Sequence, residues 1–283
     1  MEKTKITIVC ENRASEKMGI MGEHGFCALI EKNKEQILLD TGQGLCLKAN
    51  AHVLDIDLAG IRKIVLSHGH FDHTGGLADL MPRNEKTEVW AHPDIFSPKY
   101  VRRGVEDKDK ESFIGIRFSQ EQLEADMNAQ FHFKKEFSAI SDDIFFSGEI
   151  PRKTNFEGSD TRLLVKQGQS FIPDPLLDDA SLLIETASGP VILAGCAHSG
   201  IVNVMNHFSQ KTGYTSFHAV IGGTHLGFLN SDQQLEKTMD AFEHYNLKLI
   251  AVSHCTGNEA AAACHNRFKN RFAFANAGWS MEF

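Results

Sequence analysis

"VLSHGHFDHTGG" runs from Val65 to Gly76 and places His68, His70, Asp72 and His73 within six positions. The apolar run "IRKIVL" leads into it, and a pair of glycines follows. That run predicts a short buried strand delivering the chain to a sheet edge. His68 and His70 are two apart, so in an extended segment both imidazoles project to one side and can hold one metal ion. Gly69 between them leaves room for close backbone approach. Asp72 and His73 come as the chain turns into a helix, where they can face a second ion. Imidazole with carboxylate suits zinc first, with manganese or iron close behind and magnesium possible.

Working outward, "KITIVCEN" (Lys5–Asn12) predicts a strand. "GFCALIEKNKEQILLDTG" predicts a hairpin with strands over 26–31 and 36–40, followed by helical spacing from 45 to 54. After the histidine cluster, "GGLADLMP" predicts a helix stopped at Pro82, and "TEVWAHPDIF" a strand then a loop. Residues 100–130 are charged and poorly periodic. They suggest a helical insertion lying over the pocket as a lid, within which "SQEQLEADMNA" has a helix start. A second β-rich series follows. "ASLLIETASGPVILAGCAH" predicts a hairpin turning at Ser188-Gly189, and then come a helix near 201–210, the strand "FHAVIGGTHLG", a helix near 232–245 and the strand "LKLIAVSHCTG". "NEAAAACHNRFKN" reads as a last helix and "RFAFANAGWSMEF" as an exposed tail or edge strand. Two halves, each with strands followed by helices, predict one layered α/β domain over 1–283.

The net charge of −8 argues against a nucleic-acid partner, since phosphate neutralisation needs clustered Lys and Arg. "YVRRGVEDKDKESF" carries both signs and is not a basic patch. No stretch approaches the roughly 18 apolar residues of a membrane span, and the first apolar run is too short for a signal peptide. The expectation is a cytoplasmic protein acting on a small molecule, away from nucleic acid and membrane, with its oligomeric state left open. The six cysteines are scattered without a CxxC pair, so most should be buried thiols, with one or two left as ligands.

"HGHFDH" resembles the H-x-H-x-D-H signature of the metallo-β-lactamase superfamily, and "ILLDTG" (Ile37–Gly42) resembles its strand-end aspartate, here Asp40. The chain looks most like a branch described as metal-dependent hydrolases, some of whose members are named as a dihydropterin–ribofuranosylaminobenzene phosphate synthase. "EHGFCALIE" (Glu23–Glu31), "GEIPRKTNFE" (Gly148–Glu157), "DDASLLIET" (Asp178–Thr186), "GCAHSGIVN" (Gly195–Asn203), "GGTHL" (Gly222–Leu226) and "SHCTG" (Ser253–Gly257) carry that likeness. It implies a four-layer αββα sandwich with two metal ions at the edge between its sheets. It makes His254 the final ligand and Asp40 a carboxylate that fixes a ligand histidine, so Asp40 and Asp72 are the carboxylates expected to matter to catalysis.

The chain departs from the pattern where a further histidine usually stands. "PDPLLDDASL" holds none, so the first ion's third ligand is open between His198, Cys196, Asp178 and Asp179. Gly195 is followed by Cys196, where a bridging carboxylate is usual. His24, His225 and Asp179 are pocket candidates, while Cys255 is expected to face away and be inert. The resemblance implies a hydrolase using a metal-bound hydroxide on a phosphoester, lactone or related substrate. Two alternatives stand beside it: a transferase joining a dihydropterin methyl diphosphate to a ribofuranosylaminobenzene phosphate, and a metal-dependent redox or binding module.

Overall fold

Alternating apolar positions set the layers. Along Ser181–Ile184, Leu182 and Ile184 enter one core while Leu183 enters another. Ile30 and Ile37 are split from Leu29 and Leu38 in the same way. These strands are therefore apolar on both faces, as strands in the middle of a layered sandwich must be. The computed structural model describes residues 3–81, 84–103, 110–228 and 232–283.

The first sheet has the spatial order Ser280–Glu282, Lys5–Cys10, Cys27–Lys32, Glu35–Leu39, Lys63–Val65, Thr87–Ala91, Ala129–Phe133. The second runs Phe272–Phe274, Leu249–Ser253, Ala219–Gly223, Val191–Ala194, Ser181–Ile184, Ile144–Phe146, Ser138–Ser141. Each is antiparallel through its hairpins and parallel beyond them. Ile6, Ile8, Phe26 and Ile30 meet Leu182, Ile184, Leu193 and Ile221 between the sheets. Outside the second sheet lie the helices Ile201–Thr212, Asp232–His244 and Asn258–Phe268, docked through Met205, Phe208, Phe242 and Phe268. Outside the first lie Leu47–Val53 and Gln120–Met127, docked through Leu47, Leu123 and Met127. The result is the expected αββα sandwich. Parallel neighbours end on the same rim of a sheet, and the turns leaving those ends carry the polar residues described below.

The structure redraws two local expectations and decides between the readings of a third. The helix expected after the histidine cluster is a short α-helix, Phe71–Thr74, continued as a 3₁₀ helix over Gly75–Leu80. Pro82, its expected stop, lies outside the described residues. The 100–130 stretch is not one helical piece. Lys99–Arg102 and Glu111–Phe113 pair with each other and with Leu163–Gln167 and Ser170–Pro173 in a small third sheet that sequence reading missed. Gln120–Met127 is the expected helix, closed by a Ser119/Gln122 capping box, and Ala129–Phe133 is a strand of the first sheet. Residues 104–109 lie outside the described residues. Of the two readings of the C-terminal segment, the edge strand holds: Phe272–Phe274 and Ser280–Glu282 each edge one of the two main sheets. No helix among the described residues is long and apolar enough to cross a membrane.

Candidate metal centre

The loop between Val65 and the helix at Phe71 is tied down on several sides. The Gly69 N–H donates to Asp178 Oδ2 at 2.8 Å. The Phe71 N–H donates to the Ile114 carbonyl, and the Asp72 and His73 carbonyls accept from Phe26 and Thr41. His68 and His73 are fully buried, and His70 and Asp72 nearly so. Histidine rings are thereby held in place before any ligand arrives.

Asp40 organises the rings from behind. Its Oδ1 accepts from the Ser67 backbone N–H at 2.7 Å, and its Oδ2 accepts from the Ser67 hydroxyl at 2.7 Å. That hydroxyl has spent its single hydrogen, so at 2.9 Å it must accept from His68 Nδ1–H. His68 Nε2 is then a bare lone pair. Asp40 Oδ2 also accepts from His73 Nδ1–H at 2.7 Å, leaving His73 Nε2 as a second lone pair in the neutral ring. Gly195 packs against this relay so closely that a Cβ there would lie 2.3 Å from Ser67 Oγ and 2.7 Å from Asp40 Oδ2.

Two groups of donors result. In the first, His70 Nδ1 lies 2.9 Å and His198 Nε2 3.2 Å from the lone pair of His68 Nε2. Ligand atoms of all three rings fall within 4.8 Å of one another. His70 Nε2 and His198 Nδ1 are buried without a hydrogen-bond partner. In the second, His254 Nε2 faces His73 Nε2 at 3.2 Å. His254 Nδ1–H donates to Asn12 Oδ1 at 2.8 Å, an oxygen that also accepts from Gly25 N–H, so His254 Nε2 is a lone pair too. Asp72 Oδ2 stands 3.4 Å from His254 Nε2 and 3.8 Å from His73 Nε2. Facing lone pairs repel unless an added proton or a cation lies between them. A divalent ion satisfies three converging donors at once, whereas one proton joins only two, so both groups fit a metal.

The electrostatics follow the same division. Burial, then neighbouring histidines, holds His68 and His198 well below the ordinary histidine range, and burial brings His70 down to about 3. These three are neutral, as ligands must be. Burial also pulls on His73, but Asp40 and Asp72 outweigh it and push the ring up to about 9. Burial would raise Asp72, yet His73 and His254 hold its carboxylate far below the usual range. The second group thus carries the negative charge that a second cation needs.

A family model described as the metallo-beta-lactamase superfamily matches residues 21–254. The chain belongs to the metallo-β-lactamase superfamily. It is 30% identical, over all of its length and 98% of the other, to a protein of Methanocaldococcus jannaschii named 7,8-dihydropterin-6-methyl-4-(beta-D-ribofuranosyl)-aminobenzene-5'-phosphate synthase. A second relative from that organism, uncharacterised, is 31% identical across 96% of this chain and 98% of its own. Among solved structures, Tm1679, a metal-dependent hydrolase of the beta-lactamase superfamily, aligns with a TM-score of 0.82 at 25% identity over 99% of both chains. A diphosphatase of the PhnP family aligns with a TM-score of 0.51 at 12% identity over 100% of this chain and 98% of its own, a likeness of fold alone.

Within this superfamily member, the structure brings His68, His70, Asp72, His73, Cys196, His198 and His254 together. All but His68 and His73 line one cavity of about 630 Å³, as do His24 and His225. His24 Nε2 stands 3.3 Å from Asp72 Oδ2. The His225 ring lies 4.3 Å from the His198 ring, tilted against it, with both of its nitrogens buried and without a hydrogen-bond partner and Nε2 3.9 Å from Asp160 Oδ2. Ala197, His225 and His254 all have positive φ, between 50° and 55°, so the strand-end turns holding the rings are strained where non-glycine residues rarely sit.

Asp179 is placed otherwise than expected. It is not in the cavity wall: its carboxylate accepts from the His198 and Ser199 N–H groups at 3.0 and 2.8 Å, behind the ring it supports. Asp178 is likewise taken up, by Gly69 N–H and by the buried ammonium of Lys99. Cys255 does not face away. Its sulfur lies within 4.8 Å of the Cys196 and His254 ligand atoms, and it lines the cavity.

Sequence reading also missed Glu11 and Asn12, which hold His254 through its N–H and its ring. Their signal was available, since a polar pair stands where the strand Lys5–Cys10 ends. Arg13, Arg103 and Arg162 reach the same cavity from three distant segments, and no local pattern announces them.

Proposed function

We propose that the protein is a metal-dependent hydrolase with a two-ion centre acting on an anionic, phosphoester-type small molecule. His68, His70 and His198 would hold one divalent ion, and Asp72, His73 and His254 the other, with zinc the best match to this donor set. Such ions supply Lewis acidity toward a phosphoryl or carbonyl oxygen and make water acidic enough to act near neutral pH. The convergence of two groups of ring nitrogens, the first held neutral and the second beside the Asp72 carboxylate, carries the reading.

The chain's own side chains favour an anion over a neutral lactone. Arg13 and Arg103 line the cavity, the charge of Arg13 also acting on the neighbouring Glu11 carboxylate. Arg162 is already neutralised by Asp160 and lies 5.0 Å above the Phe228 ring. Two guanidinium groups beside the centre favour phosphate or carboxylate recognition. Phe71 and Phe228 give the same cavity apolar walls for the remainder of the substrate.

A second reading is group transfer, favoured by the name of the 30%-identical relative. Its substrates would be an anionic dihydropterin diphosphate and a ribofuranosylaminobenzene phosphate, which the two arginines also suit. The test is a panel of phosphoesters, lactones and the pterin–aminobenzene pair, run on protein purified without chelator whose metal content has been measured. Hydrolysis of a phosphoester by wild type, abolished with its metal in His68→Ala, supports the first reading. Turnover only with the paired substrates selects the second. Full metal content in His68→Ala would remove both.

A further inference from the structure

A second cavity, of about 950 Å³, lies beside the turn that carries His198. His198 lines the metal cavity, and its neighbour Ser199 lines this one. Cations reach it from three separate stretches of chain: Lys135, Arg152 with Lys153, and Lys211. Two carboxylates stand against these four. One of them, Glu149, is engaged by His92 Nε2–H at 3.0 Å as well as by Lys135 at 3.5 Å. In a chain of net charge −8, this cationic excess is a local feature and not a reflection of composition. Phe137, Ile150 and the exposed Leu177 give the same cavity an apolar side. We infer that this cavity is a second binding site, separate from the metal centre, for a phosphorylated small molecule with an apolar or aromatic portion. The inference holds whichever reaction the centre performs.

The cations are held in place before a ligand arrives. The stretch Gly148–Glu157 belongs to no helix or strand, yet it is fastened to the start of the helix Ile201–Thr212. Asn203 Oδ1 accepts from the Lys153 and Thr154 N–H groups at 2.8 and 3.0 Å, and Glu157 accepts from the Val202 and Asn203 N–H groups at 2.8 and 2.9 Å. Arg152 donates to the His198 carbonyl at 2.6 Å and reaches the Pro175 carbonyl at 3.5 Å, while its charge acts on Asp179 and Glu157. A guanidinium carries five N–H groups, so part of the fork remains for an oxyanion. Lys153 Nζ donates to the neutral Gln210 amide at 3.1 Å, which draws it toward Lys211 at the next position. Both lysine charges act on the His207 ring in the cavity wall, which burial first and then these two cations hold below its ordinary value.

Shape selects the occupant. An acidic peptide or a nucleic acid needs cations spaced along a strip. Here they converge on a depression of the size that small ligands fill, about 300–1,000 Å³. The planar fork of Arg152 suits a phosphate, and lysines add point charges to it.

The experiment is calorimetric titration of metal-loaded protein with the α,β-methylene analogue of adenosine diphosphate, with pyrophosphate and with a short polyglutamate. Wild type should bind the nucleotide analogue, and more tightly than pyrophosphate, which has no ring for the apolar side. Lys153→Ala/Lys211→Ala should weaken that binding about tenfold or more and leave metal content and phosphoester hydrolysis unchanged. Arg103→Ala, in the metal cavity, should leave it unchanged. Affinity lost only in Arg103→Ala would put the ligand at the metal centre and overturn the second site, as would wild type that binds neither phosphate compound. Equal affinity for pyrophosphate and the analogue would overturn the role of the apolar side. Polyglutamate bound more tightly than the analogue, through the same lysines, would replace the small molecule by an acidic partner chain. Should the double variant not fold, lysine acetylation of wild type read by mass spectrometry decides. The analogue should protect Lys153 and Lys211 from acetylation, and unchanged labelling of both would overturn the site.

Discussion

At the scale of single residues, Asp40 controls which nitrogen each ring presents. Its two oxygens accept three hydrogen bonds, from the Ser67 N–H, the Ser67 hydroxyl and His73 Nδ1–H, so its charge fixes both tautomers. In Asp40→Asn the amide can turn a donor toward His73 Nδ1, which then keeps its lone pair there and its hydrogen on Nε2. Metal affinity at the second group should fall about 10–100-fold with little change in fold. Competition with a chromophoric chelator measures it, and unchanged affinity would show that the relay is incidental. Asp179 and His198 make a paired case. His198→Ala should strip the first ion as completely as His68→Ala does. Asp179→Asn keeps an acceptor for one of its two N–H partners and should only weaken binding. Metal stoichiometry in the three variants decides, and loss in Asp179→Asn alone would reverse the assignment.

Much of this was legible because it is local. His68, His70, Asp72 and His73 are neighbours in sequence, His254 directly follows an apolar strand, and His198 lies in the turn after another. Asp179 misled because a carboxylate near a site looks the same in sequence whether it faces the cavity or supports the loop behind it.

At the scale of elements, the small sheet was invisible to periodicity because its strands are three to five residues long and half-exposed. Its contribution lies in one strand. Lys99 begins Lys99–Arg102 and is fully buried between Asp174 at 2.9 Å and Asp178 at 2.8 Å. Asp178 in turn holds Gly69 between the first two histidines. Lys99→Met would leave two carboxylates buried without their cation, which typically costs about 3–5 kcal/mol. Urea unfolding should show that loss. The remaining folded protein should also bind its first ion less tightly, because Gly69 loses a fixed partner. A variant as stable as wild type would mean that solvent reaches the pair. The main sheets, by contrast, could be read directly. Runs such as "SLLI" and "VILA" are apolar on both faces, and only a four-layer arrangement buries both.

At the scale of the whole molecule, folding forces several histidines to remain neutral, and this sets a direction for stability with pH. His68 and His198 are held well below the ordinary value of 6.5 and His70 at about 3, chiefly by burial. An unfolded chain takes up a proton on each of these rings as pH falls through about 6.5. The folded, metal-free chain does not until far lower. The unfolded state therefore binds more protons in that window, and stability must fall as pH drops. Each ring contributes a slope of up to about 1.4 kcal/mol per pH unit. His73 works the other way: raised to about 9, it gives stability that is complete below about 6.5 and lost as pH rises through 9. One ring opposing three cannot reverse the acid limb, but it adds an alkaline one, so the metal-free protein should be most stable just above neutrality. Bound metal steepens the acid limb, because protons then compete with the ion for the same lone pairs. Urea midpoints of chelator-treated protein should decline from pH 7 to pH 5, and the metal-loaded protein should start higher and decline faster. A flat midpoint for the metal-free protein would mean that these rings are already hydrated in the folded state, and the lone-pair argument for the centre would fall with it.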